Sequence, residues 1–156
     1  MKVIEELKKM DEARFLGIYL ALENQGFGPM DGEVARVMKF RPHAIKKLPM
    51  EQRAKRARTL LTSSSNAELT YELFGSYIMK KCRTLVTDFL DATGVEHKDG
   101  MIDSVDNAQP SADKLSNAIS ELDQKYDKGD VTLYLSMCAE QWPQVPEVES
   151  LWRLRG

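Results

Sequence analysis

Apolar residues recur at helical spacing in every long segment of the chain. Between Val3 and Glu23, the positions Val3, Ile4, Leu7, Phe15, Leu16, Ile18, Tyr19, Leu20 and Leu22 stand among charges, and Glu5 precedes Lys9 by four residues, a helix-supporting order. Gly26, Gly28 and Pro29 end that helical stretch. A short helix is predicted from Asp31 to Lys39, with Val34, Val37 and Met38 on one side, and a one- or two-turn piece from His43 to Leu48. Pro49 suits the first turn of the next helix, Met50 to Thr62, in which Met50, Ala54, Ala57 and Leu61 form a narrow apolar row. Ser63, Ser64 and Ser65 read as a loop.

The longest periodic segment runs over residues 66–93 and predicts a central helix about 40 Å long at 1.5 Å per residue. Ser65 with Glu68 forms a capping-box pattern, Gly94 sits where a helix ends in the left-handed conformation, and Val95 is placed to touch Leu90 across that end. Tyr71, Phe74, Ile78, Met79, Cys82, Leu85, Val86, Phe89 and Leu90 share one broad face. Gly75, within that face, predicts close approach of another backbone. A second row, Leu69, Leu73 and Tyr77, lies on the opposite side with Lys80 and Lys81 beyond it. Either the chain's own helices cover it or a partner does.

Residues 95–109 are polar and form the longest connection. A helix follows from near Pro110 to Lys128, with Leu115, Ile119, Leu122 and Tyr126 inward and Gly129 as its stop. Residues 131–138 fit a strand through Val131, Leu133, Leu135 and Met137, or a helix through Val131, Tyr134, Leu135, Cys138 and Trp142. Helix is preferred, because a lone strand leaves its ladder groups unpaired. Pro143 ends it and Pro146 opens a last short helix with Val148, Leu151 and Trp152.

Composition alters this picture mainly by exclusion. The 156 residues, 42% hydrophobic and 29% charged, suit a single domain (1–156) able to fold without disulfides or metal. The N-terminus lacks the uninterrupted apolar region of a secretory signal, and no run approaches the roughly 20 apolar residues of a membrane span. Cys82 and Cys138 lie in apolar periodic segments and read as buried reduced thiols, so a cytoplasmic location is expected.

Charge is unevenly placed. Residues 1–62 carry a net +5 and residues 63–156 a net −7, and residues 39–58 hold eight Lys and Arg against the single acid Glu51. Within this region Val34, Ala35, Met38, Phe40, Ile45 and Leu48 fall at core spacing for a helix-turn-helix, and Glu33 to Leu48 resembles that DNA-binding unit. The resemblance implies a nucleic-acid face at residues 33–58 using Arg41, His43, Lys46, Lys47, Arg53 and Arg56. Lys39 stands where the turn usually takes Gly, and Pro49 limits the second helix to about two turns. DNA binding is therefore the second reading.

No catalytic set is legible. His43 and His97 are the only histidines, and neither cysteine has zinc-type spacing. Asp99, Asp103 and Asp106 lack the glycine and terminal glutamate of a calcium loop. Gly26-Phe27-Gly28 is followed by Pro29 rather than the Lys-Ser/Thr pair of a phosphate loop. Neither metal nor cofactor is expected. The sequence thus predicts an all-α, orthogonal or irregular bundle of six or seven helices acting as a non-enzymatic interaction protein, with Leu69, Leu73, Tyr77, Lys80 and Lys81 as its partner surface or self-association face. A ligand binder or enzyme with a site assembled only in three dimensions is the third reading.

Overall fold

The N-terminal periodic stretch forms two helices, α1 (Lys2–Lys9) and α2 (Glu12–Asn24), in a computed structural model that describes residues 1–24, 47–103 and 108–156. The single helix expected from Val3 to Glu23 is interrupted at Met10, which is extended at φ −65°, ψ 139°. Asp11 supplies the cause. Its carboxylate accepts from the Arg14 N–H at 2.7 Å, so the side chain competes with the helix and starts a new one.

Helix α3 (Met50–Leu61) follows, with Pro49 as its N-cap residue. Ser64–Asn66 form a 3-10 turn in place of the expected loop, with Ser65 Oγ 2.9 Å from Ser63 Oγ. The short helices expected at 31–39 and 43–48 fall, apart from residues 47 and 48, outside the described residues.

The predicted central helix is divided into α4 (Ala67–Lys81) and α5 (Arg83–Thr93) at Cys82, whose backbone leaves the helical region at φ −128°, ψ 30°. Neither Gly nor Pro marks this break. Arg83 Nε donates to the Met79 carbonyl at 3.3 Å, providing a side-chain donor beside it. The other end is as expected: Gly94 is left-handed at φ 76°, and the Val95 N–H reaches the Leu90 carbonyl at 2.9 Å.

Helix α6 (Ala112–Lys125) ends before the predicted Lys128, because Asp127 caps α7 (Lys128–Gln141) by accepting from the Asp130 N–H. Gly129 consequently lies in the first turn of α7 rather than stopping α6. Residues 131–138 are helical. Their ambiguity follows from burial, since Val131 and all of Leu133–Ala139 are buried and no polar stripe remains. Helix α8 (Pro146–Arg153) begins at Pro146.

Eight α-helices and no strand thus occur among the described residues, an all-α fold. Its contacts group into two compact units, one of Met1 and Val3–Leu73, the other of Lys2 and Phe74–Gly156. In the first, α2 packs on α3, and Thr70 Oγ1 donates to the Leu61 carbonyl at 2.8 Å. In the second, α5 packs on α6 and α7 on α8. Phe89 meets Tyr134 edge-on at 5.2 Å, and Trp142 Nε1 donates to the Ala108 carbonyl. No helix among the described residues is long and apolar enough to cross a membrane.

Candidate functional site

The basic character of α3 is partly consumed inside the first unit. Arg53 points inward, its side chain 11% exposed, and Nη1 donates to Glu23 Oε1 on α2 at 2.6 Å. Arg58 Nη2 donates to the Leu7 carbonyl at 2.9 Å and to the Met10 carbonyl, closing the end of α1 whose carbonyls have no helical partner. Its guanidinium also lies 5.8 Å from the Phe15 ring centre. Lys47, Lys55 and Arg56 are exposed. Arg41, His43 and Lys46 lie outside the described residues, so of the six cationic positions read from sequence, two are exposed and one is internal.

Between the α1–α2 corner and α3 runs a groove of about 1110 Å³. Its apolar lining is Met10, Phe15, Leu16 and Ala54, of which Phe15 and Ala54 are buried and Leu16 half-buried. Exposed Lys8, Asp11, Glu12, Glu51 and Lys55 stand along it. Sequence periodicity placed Phe15 and Ala54 in the core but gave no sign of the groove, which exists only because Asp11 turns the chain.

The α4 row is distributed differently from a free ridge. Leu73 is 1% exposed, so the chain itself covers it. Leu69 is half-buried, and Tyr77 donates its hydroxyl to Asp130 Oδ1 on α7 at 3.2 Å. Lys80 and Lys81 are exposed in the last turn of α4.

In the second unit a pair missed from sequence appears beyond the Gly94 cap. The chain reverses there and returns His97 to the last turn of α5, with Nε2 2.6 Å from Asp91 Oδ1. The Gly100 N–H donates to Nδ1 at 3.0 Å, which assigns the ring proton to Nε2 and makes that atom the donor to Asp91. Both ring nitrogens are engaged. The imidazole has no lone pair free to act as a base, and it works as a crosslink. A cleft of about 760 Å³ adjoins it, lined in part by Glu96, Lys98, Ile102 and Asp103.

Asp88 and Cys138 are structural in geometry. Asp88 accepts from Lys125 Nζ at 2.7 Å and Tyr126 Oη at 2.5 Å, and these bonds hold its carboxyl below the usual range against a smaller opposing effect of burial. Burial pushes the Cys138 thiol up to about 12. Among the described residues no group of three or more His, Cys, Asp or Glu side chains is placed to hold a metal. Asp99 lies in a tight turn rather than a ligand loop, and Asp106 lies outside the described residues. The chain matches no protein-family model, and comparison with curated proteins and with solved structures gives no match either.

Proposed function

We propose that this protein is a non-enzymatic helical interaction module of the cytoplasm whose α2–α3 groove receives an amphipathic helix from a protein partner. The groove itself is the observation that supports this reading. Two turns of helix, about 11 Å long and about 10 Å across, displace roughly 900 Å³, the same order as the groove's 1110 Å³. Met10 and Leu16, both half-buried, supply apolar surface for its buried face, and charges of both signs flank it. A duplex would instead bring phosphates against Asp11, Glu12 and Glu51, with Arg53 and Arg58 already engaged, which is why DNA binding ranks second.

The test is a photoreactive side chain at Leu16, with the same group at exposed Ser116 on α6 as the control. We expect a crosslink from position 16 alone, mapping to a segment with apolar residues at helical spacing, from another protein or from a second copy. No adduct, or equal adducts at both positions, would remove the proposal. Salt-titrated DNA binding is expected to be weak, and specific binding tighter than about 10⁻⁸ M would replace it by the nucleic-acid reading.

A further inference from the structure

We infer that the groove along α3 selects a dipolar amphipathic helix, one that sets a carboxylate against Arg58 and, about seven residues away, a cation against Glu51. The inference rests on the groove reading above and names the chemistry of the occupant. The α3 wall of the groove is a single helical stripe, in which Glu51, Lys55, Arg58 and Thr62 follow one another at three- and four-residue steps. A helix seated in the groove therefore lies along α3. Glu51 and Arg58 are two turns apart, about 10.5 Å at 1.5 Å per residue, and the same length of a facing helix is again about seven residues.

Neither end of this pair is neutralised within the chain. Among the described residues no opposite charge pairs with Glu51, Lys55 or Arg58. Arg58 is half-buried and held in place, its Nη2 spent on the carbonyls of Leu7 and Met10 and its guanidinium 5.8 Å from the Phe15 ring centre. Those partners carry no net charge, so the positive charge stays whole. The Nε–H and the Nη1 protons have no acceptor among the described residues. A carboxylate that accepts from them meets a side chain whose freedom the fold has already removed, so its charge-assisted bond loses less to ordering than one to exposed Lys55.

Total charge does not make the choice. Lys8, Lys55 and Arg58 stand in the groove against Asp11, Glu12 and Glu51, and the lining is neutral as a whole. The order of signs along α3 does the selecting, negative at Glu51 and positive at Lys55 and Arg58. A wholly acidic or wholly basic helix meets its own sign at one end of that order.

A display library of amphipathic peptides about 14 residues long, panned on the whole chain, tests this. Each peptide carries Glu, Gln or Lys at two flanks about seven residues apart, with Leu between them on the same face. Retained peptides should carry Glu at one flank and Lys at the other, and should crosslink to the photoreactive group at position 16 but not at 116. Replacing that Glu by Gln should weaken binding about tenfold, and replacing the Lys by Gln about two- to threefold, since Glu51 is exposed. The Glu51 side chain has no partner among the described residues, so Glu51→Lys keeps the fold and should change the preference at the second flank from Lys to Glu. Retained peptides without flank preference, a preference that Glu51→Lys leaves unchanged, or loss of the Glu preference in Lys55→Gln would each overturn the inference while the groove stands. No retained peptide, or none that crosslinks at position 16, would remove the groove reading and this inference with it.

Discussion

Arg155 grips Asp123 through two parallel hydrogen bonds, Nη1 to Oδ2 at 2.8 Å and Nη2 to Oδ1 at 2.6 Å. Its Nε donates to Thr132 Oγ1 at 2.8 Å, so one guanidinium joins the segment after α8 to α6 and α7. A planar fork makes all three bonds at once, which an ammonium cannot do.

Arg155→Lys is therefore expected to cost about 1–2 kcal/mol in urea unfolding at about pH 7. The Arg155 hydrogen bonds hold the Asp123 carboxyl below its usual value of 3.8, with burial opposing. A depressed carboxylate stabilises the fold above that value, and the contribution is lost as pH falls through the lowered one. The difference between wild type and variant should shrink below about pH 4, and a constant difference down to about pH 2 would show that the fork is not its source.

Gly75 and Gly100 should respond oppositely to alanine. The nearest atom to a Gly75 Cβ is Met137 Cε at 3.4 Å, the mobile end of a side chain rather than the backbone expected from the sequence. Gly75→Ala should leave stability unchanged or raise it by up to about 1 kcal/mol through helix propensity. Gly100→Ala combines φ 86° with two contacts at 3.3 Å and should lower stability by about 1–3 kcal/mol. Thermal melting of the two variants decides both signs.

Leu73→Glu places a carboxylate where the leucine is 1% exposed. A loss of several kcal/mol is expected, enough to unfold a typical domain. A variant that melts like wild type but changes in sedimentation would instead make the Leu69–Leu73–Tyr77 row an interface.

Cys138 should resist thiol reagents. Burial excludes the reagent and keeps the thiol protonated, with the thiolate out of reach until about 12. Iodoacetamide at about pH 8 should label it only after unfolding. Rapid labelling of the native protein, located by peptide mapping, would contradict the packing around α7.

Much of the helical framework is local and therefore legible. Apolar spacing, Pro146 at the start of α8 and Gly94 after α5 act through backbone geometry within a few residues, and all appear in the structure as read. Asp11 and Asp127 carried readable signals too, but a side-chain cap competes with an otherwise continuous apolar period, and periodicity alone does not say which prevails. The helical state of residues 131–138 was open for a different reason: a helix buried on nearly every side has no polar face to reveal its period.

The sequence by itself determined that this chain is helical, the bounds of α3, the end of α5 and the start of α8, and that Leu73, Phe74, Phe89 and Leu90 need apolar surroundings. Only the tertiary structure decided the break at Cys82, which no Gly or Pro announces, and the fate of the cations on α3. Arg53 and Arg58 look like neighbours of Lys55 and Arg56 in a charge count, yet they are spent on Glu23 and on the carbonyls of Leu7 and Met10. The same holds for His97, whose role depends on Asp91 and Gly100 meeting its two nitrogens. Spacing along a chain fixes local backbone hydrogen bonding, whereas a side chain's partner depends on which distant segment the fold brings within about 3 Å.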